Sequence, residues 1–477
     1  MPQINLDYSG RDYTSNFEWL LSLLQQYVPE LTDLNHSDAG ISLLRLLARE
    51  TDQLNLYLDQ VFAEGFINSA RFYQSIIDLA KLLDVLPKIS SAATTSVSVN
   101  RRVSSSSTAV DVTLPVGYQF STSNSIPYCT LDSVFIPVNT AQISIPVYQG
   151  TFTTLTINPS DFTEFNMMCR PMFNLGPNVA ARTITVTHNN GNSVWTEVES
   201  FYRSFSSDLH FRLDLYADKY NSVQNTVFLV LGDGDHGSSN PNTPMQVSFV
   251  RTDGLVGNMG SGVITTMDTT NTQWFTCNNP IIATGGSGPE DQESFRKRVP
   301  YVVQTQRRGV TQPDYSALIV SIPGVVDCQC ADRNQSSDYP WEYLGLSILP
   351  SGGGLIPDEL YAVIMGNLTR WGTLGGWQGR YELYSAVPIS VPISCRIGVV
   401  PGYSPSVVSA ALSTTLTNLF TLKQGVLGNP FSFSDMDIAA GRVPGVSWVE
   451  FDAPKQDVLM AYGQYPVIGP ISITVVS

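Results

Sequence analysis

Between positions 44 and 61, apolar side chains recur at Leu44, Leu47, Leu54, Leu58 and Val61, and Thr51 completes the alternating steps of three and four. That spacing puts the side chains on one side of an α-helix, so about three heptads of helix are dictated here. Ser37 and Asp38 supply N-cap residues, and the pattern runs to about Glu64. Flanking helices are predicted over Tyr13–Tyr27, where Phe17, Leu20, Leu21 and Leu24 have helical spacing before Pro29, and over Arg71–Leu86, ending at Pro87. Residues 1–88 therefore read as a helical bundle segment. A second apolar stripe, Leu43, Leu46, Leu56 and Phe62, runs beside the seam. Three helices of this size cover both stripes poorly. The seam packs either on its own neighbours or on helices of another chain.

From Ser90 the pattern changes. Short runs separated by Gly, Pro and Asn turns follow: Thr95–Val99, Val110–Leu114, Phe135–Val138, Gln142–Tyr148, Phe152–Ile157, Thr183–Thr187, His210–Leu215, Thr226–Leu231 and Met245–Arg251. Alternating positions such as Ile184 and Val186 fit half-buried antiparallel strands. Residues 89–285 are expected to form a β domain, a sandwich or a barrel. Apolar residues are 43% of the chain and charged ones 14%, so large cores are possible and the surface must be mostly uncharged polar.

Gly285–Gly288 breaks the pattern. A helix is expected right after it, with Pro289 in its first turn, Glu290, Asp291 and Glu293 near its positive end, and Arg296, Lys297 and Arg298 toward the other. Thr311-Gln312-Pro313-Asp314 reads as a capping box for the next helix. The remainder alternates helix and strand with a weak internal repeat. Asp314 precedes Pro323-Gly324-Val325, and Asp435 precedes Pro444-Gly445-Val446, by equal intervals. Pro350-Ser351-Gly352 precedes a helix over Pro357–Trp371, and Pro401-Gly402-Tyr403 one over Pro405–Thr421. Related units explain this, although Pro-Gly-Val is also a common way to pass from helix to strand. The expected fold is multidomain α+β: an N-terminal helical segment, a central antiparallel β domain, and two C-terminal α+β units, 286–400 and 401–477.

Lys plus Arg is 26 and Asp plus Glu is 41, a formal charge of −15 that repels phosphate backbones and anionic lipid. Neither nucleic acid nor membrane is expected as a partner, and no apolar run reaches the ~18 residues of a membrane span. The basic runs Arg101-Arg102, Arg296-Lys297-Arg298 and Arg307-Arg308 read as exposed or interface faces. Met1–Gly10 does not read as a signal peptide, and six sparse cysteines do not form a disulfide framework, so folding in a reducing cytosol is expected.

The chemical motifs are weak. Gly232-Asp233-Gly234-Asp235-His236-Gly237 matches a dinucleotide fingerprint, but the Pro- and Asn-rich stretch after it cannot start the helix that a pyrophosphate needs. Read as a calcium loop (Asp233, Asp235, Asn240), it has Pro244 where the bidentate carboxylate should stand. His36, His188, His210 and His236 have no ligand spacing, and Cys328 and Cys330 lack the second pair of a zinc site. No catalytic residue, metal or cofactor is expected.

Taken in order, several stretches resemble the baseplate J-like family, wedge proteins of contractile phage tails. They are Asp38-Ala39-Gly40-Ile41 with its Leu-rich helix, Leu114-Pro115-Val116-Gly117-Tyr118-Gln119-Phe120, Gly232-Asp233-Gly234 with Gly237, and Gly254-Leu255-Val256-Gly257-Asn258. The fullest match is Gly285 to Ser294, then Arg298, Thr311–Tyr315 and Ile322–Val325. The resemblance implies a structural virion protein, assembled in the host bacterial cytoplasm. Its N-terminal helices would bundle with other wedge subunits through Leu44, Leu47, Leu54, Leu58 and Val61. Its C-terminal units would pair two copies and link wedges into a ring around the hub, rearranging on sheath contraction. Hub and sheath-initiator proteins, and fibre connectors, would be further partners. The loops Ser160–Asn178 and Arg333–Trp341 depart from the family. The competing readings are a receptor-binding or fibre-connecting adhesin, which the helical seam disfavours, and a wall hydrolase, which needs two marked carboxylates.

Overall fold

The computed structural model describes residues 11–30, 34–35, 38–102, 111–164, 170–188, 191–217, 225–239, 243–268, 274–306, 308–336, 339, 341, 343–370, 380–423 and 425–476. They form two compact units. The first draws on Met1–Leu86, Tyr216–Gln224 and Gln292–Arg296, and the second on the rest.

The first unit is built on α1 (Tyr13–Tyr27), α2 (Ala39–Glu64) and α3 (Tyr73–Lys81). Asp12 and Ser15 close a capping box at the start of α1. Asp38 caps α2, accepting from the N–H groups of Gly40 and Ile41 at 2.8 and 3.2 Å. Its expected companion Ser37 lies outside the described residues. The third helix is shorter than predicted. Asp84 adopts a left-handed φ of 58°, and the Val85 N–H bonds back to the Ala80 carbonyl, closing the helix before Pro87. Two distant segments tie this unit together. Arg296 donates to the carbonyls of Asn68 and Ala70, Phe295 stacks edge-on against Tyr73, and Lys81 sits 3.8 Å from the Tyr216 ring.

In the second unit the β domain has two sheets. One runs Ile264–Met267, Gln119–Thr122, Pro127–Cys129, Gln142–Gln149, Thr94–Arg101, Phe275–Asn278, and it wraps a core of Val97, Leu114, Phe120, Tyr128, Ile145 and Phe275. The other has eight strands and carries the long Met245–Arg251 and His210–Ala217 strands. Ser193–Glu197 and His210–Ala217 run parallel in it, whereas Met245–Arg251 is antiparallel to both its neighbours, Thr151–Ile157 and Thr185–His188. Along the Gln142–Gln149 strand exposure alternates, with Ile145 and Val147 buried and Ser144 and Pro146 exposed.

The chain enters and leaves this domain side by side. Ser91 pairs with Ser287 and Thr94 with Thr284, each exchanging both backbone hydrogen bonds. Glycine is required here for close approach. The Gly286 carbonyl accepts from Asn258 and from the Ser351 hydroxyl, and a Cβ on Gly286 would stand 2.5 Å from the Gly254 carbonyl oxygen. The serine-rich and glycine-rich stretches, which look like linkers in the sequence, thus form one stitched joint.

After it, α4 covers Gln292–Thr305 and starts three residues later than expected for Pro289. Glu290 is turned away to hold Arg298 at 2.7 Å through both oxygens, and it also accepts from the Lys88 N–H. The pair is almost fully buried. Arg298 is therefore a structural core residue, which corrects its reading as part of an exposed or interface face. α5 (Gln312–Val320) begins on the expected Thr311–Asp314 capping box.

Two three-stranded sheets follow. In the first, Leu344–Pro350 is central, antiparallel to Val325–Ala331 and parallel to Tyr381–Ser385. In the second, Val387–Val399 is central, antiparallel to Val446–Ala453 and parallel to Gln464–Val476. In each, the central strand leads into a helix, α6 (Asp358–Arg370) or α7 (Pro405–Asn418). Another helix, α5 or α8 (Phe433–Gly441), leads through Pro-Gly-Val into the antiparallel neighbour. The repeated motifs hold the same sheet positions, but the two blocks occur in opposite order along the chain. Pro401-Gly402-Tyr403 is the turn from strand to helix inside the second sheet's unit. That unit accordingly begins at Val387, within the stretch 286–400.

Leu344–Pro350 is buried at every residue. Helices α5 and α6 cover one face with Leu318, Ile319, Leu360 and Ile364. Leu349 also packs with Leu427 and Tyr465 from the last unit. Asp327 accepts from the Leu427 N–H at 2.9 Å and Gln329 from the Gly463 N–H at 2.7 Å, clasping the two sheets' units together.

Candidate functional site

The most informative surface lies on α2. At roughly 100° per residue, Ile41, Arg45, Ala48, Asp52, Asn55 and Asp59 share one side. This is the side that meets α1: Ile41 and Ala48 are buried, Asn55 donates to the Arg11 carbonyl, and Arg45 lies 5.8 Å from the Phe17 ring. The opposite side carries Leu43, Leu46, Leu47, Leu54, Tyr57, Leu58 and Val61. All seven are exposed, from 48% at Leu47 to 70% at Val61. Apart from Glu50, which lies among these residues and is exposed, the helix is thus inverted, with a largely polar side toward its neighbour and an apolar side toward solvent.

Of the seam residues singled out in the sequence, Leu47, Leu54, Leu58 and Val61 are exposed on this side, and Leu44 is half-buried at its margin. Leu43 and Leu46, assigned to a separate stripe, belong to the same face, and Tyr57 was missed. The signal for Tyr57 was its place three residues after Leu54 and four before Val61. Beyond α2, a shallow dent is lined by Phe66, Ile67, Leu79, Leu82 and Leu83.

The motifs weighed as chemistry in the sequence take up structural roles. Gly232–Gly237 is a tight turn: the Gly234 N–H bonds to the Gly237 carbonyl, and Asp233 accepts from the N–H groups of Asp235 and His236. Arg170 occupies the other Asp233 oxygen at 3.1 Å, where a cation would have to bind. Burial opposes ionisation of Asp233, but the His236 N–H and Arg170 outweigh it and hold its carboxyl below the usual range. Asn240 of the calcium reading lies outside the described residues.

His188 accepts from the Trp195 indole at 2.9 Å, and His210 bonds Ser204 at 2.8 Å, so both serve local packing. Cys328 and Cys330 lie in one apolar core and Cys395 in another. No group of three or more His, Cys, Asp or Glu among the described residues could hold a metal ion, and no described helix is long and apolar enough to cross a membrane.

No family model matches the sequence, and no curated protein matches it. Among solved structures the chain is similar to one from the 6-fold symmetrised baseplate of the anti-feeding prophage (AFP), at 14% identity and a TM-score of 0.35, covering 94% of this chain and 90% of that one. It is also similar to one from the type VI secretion system TssK-TssF-TssG baseplate subcomplex, at 8% identity and a TM-score of 0.30, covering 73% and 96%. At scores this low, the surfaces of the chain itself have to decide its role.

Proposed function

We propose that this chain is a structural subunit of a contractile-tail baseplate, a wedge component that works by burying surface against other subunits. The observation that carries the proposal is the inverted α2. A side holding six aliphatic residues and a tyrosine faces solvent along nearly the whole helix. Burying four such leucines or valines would contribute on the order of 6–12 kcal/mol before the costs of association, enough to hold a helical bundle between chains. Heptad spacing favours a coiled-coil partner over a flat one. The order of family-like motifs along the chain supports the specific setting. In it, α2 bundles with other wedge subunits, the C-terminal units pair two copies and link wedges into a ring around the hub, and the whole resides in the virion.

The test is Leu54→Asp, which puts a charge in the middle of the exposed face without touching a buried contact. Baseplate assembly should fail, and wedge partners that co-purify with the native chain should be lost. The far-UV circular dichroism of the isolated chain should stay the same. Normal baseplates assembled from the Leu54→Asp chain would defeat the proposal.

A further inference from the structure

We infer that two turns of the β domain, in the stretches 200–208 and 232–238, form a docking tip for a different subunit, one that presents arginine or lysine side chains. The inference rests on reading the chain as an assembly subunit and names a further contact of it, away from α2. Two aromatic side chains stand out from the first stretch, Tyr202 at 86% exposure and Phe205 at 76%. Single exposed apolar side chains are ordinary on a protein surface, but two aromatic ones within four residues mark a place that something covers.

The tip is firmly built. Phe201 is buried, with Arg170 4.5 Å and Arg212 5.8 Å from its ring centroid. Arg170 is held in turn by Asp233, and Arg212 by the buried Asp214 at 2.7 Å. The second turn is bonded along the first: the Gly237 N–H donates to the Phe205 carbonyl at 3.1 Å, and the Ser238 N–H to the Asp208 carbonyl at 2.9 Å. The Phe205 N–H also donates to the Asp208 carboxylate at 2.8 Å. Gly237 has a φ of 88°, and a Cβ there would stand 3.2 Å from the Phe201 ring, so glycine lets this turn close over Phe201. The Gly-Asp-Gly-Asp-His-Gly motif thus acts as a buttress for the stretch that carries the two exposed rings. Aromatic side chains on a fixed backbone lose little freedom when they are covered, which suits them to anchor an interface.

Charge selects what covers them. Glu199 and Asp235 are exposed and Asp208 is half-buried, whereas Arg203 is the one Lys or Arg in 199–208 and 232–238. Asp233 is matched by Arg170. The surplus around the rings is therefore acidic. Carboxylates beside aromatic faces are what a guanidinium or ammonium group recognises, through ion pairs and cation–π contact. A second copy of this chain, at a net charge of −15, brings the wrong sign to such a tip. The occupant is thus another protein with a locally basic surface.

The experiment uses purified baseplates assembled with Ser206→p-benzoylphenylalanine, at an exposed position next to Phe205. Irradiation and peptide mapping should join this position to a segment of a different subunit that carries Arg or Lys. Tyr202→Ala together with Phe205→Ala should weaken that subunit's binding to the full-length chain about tenfold or more. Asp235→Lys should weaken it as well, and circular dichroism should stay unchanged in both variants. A crosslink to a second copy, to a segment without Arg or Lys, or to a glycan overturns the inference. So does a baseplate that gives no crosslink, or an affinity that these substitutions leave unchanged. Baseplates that need Leu54 to assemble and yet give no crosslink at 206 remove this contact and leave the assembly role standing.

Discussion

Arg298 shows how little a residue's immediate neighbours say about its fate. It sits in an Arg-Lys-Arg run, the usual mark of an exposed face, yet it is 4% exposed and joined to Glu290 by two bonds of 2.7 Å. Lys88 lies beside this pair. Burial pushes its ammonium down to about 8, Glu290 works in the other direction, and Arg298 adds to the depression.

The cysteines are also settled by burial. The described thiols are free and buried, with Cys129 pushed up to about 12, Cys277 to about 11, and Cys328 well above its ordinary value. A buried thiol disfavours its charged form, so Cys129, Cys277 and Cys328 hold almost no reactive thiolate at pH 8, and burial itself keeps the reagent from the remaining described thiols. Iodoacetamide at pH 8 should therefore leave Cys129, Cys277, Cys328, Cys330 and Cys395 unmodified in the folded chain and label them all in urea. Peptide mapping by mass spectrometry would read this, and labelling of Cys129 without denaturant would contradict its burial.

At the scale of elements, boundaries depend on what the chain meets next. The periodicity of α3 continues past Lys81, but Asp84 turns left-handed and ends the helix. The start of α4 is likewise delayed because Glu290 is drawn to Lys88 and Arg298 instead of to the helix terminus. Gly286 is the sharpest case. A methyl group there would collide with the Gly254 backbone, whereas one on Gly260 would meet nothing within 4 Å. Gly286→Ala should lower unfolding free energy by roughly 1–3 kcal/mol, the usual range for forcing extra volume into a packed site. Gly260→Ala should leave the urea midpoint nearly unchanged. Equal midpoints for the two variants would mean that the joint is looser than its hydrogen bonds imply.

At the scale of the whole molecule, residues that the sequence divides among three domains fold into one compact unit. The β domain is inserted between paired stretches near Ser91 and Ser287, and Ser351 then bonds to both Gly286 and Gly324. Such interlocking couples the parts thermodynamically. Limited thermolysin digestion should leave the Gly285–Gly288 stretch uncut. Hydrogen exchange in 87–215, 225–291 and 297–477 should rise over one common denaturant range. Early cleavage at the glycines, or staggered exchange, would show independent domains.

Periodicity, caps and turns act over a few residues, and the sequence alone determined what they control. It specified the N-terminal helices, most of the long strands of the β domain and the Thr311–Asp314 capping box. The α2 seam was legible for the same reason, since a run of leucines at heptad spacing states which residues share a side. Whether that side faces inward or outward was not legible, because it depends on where α1 packs. Tertiary structure alone decided that the polar side turns inward, that two apparent linkers become one stitched joint, and that Arg298 is buried. Each of these depends on contacts between residues far apart in the chain, and no local pattern encodes which distant surface arrives to cover a given one.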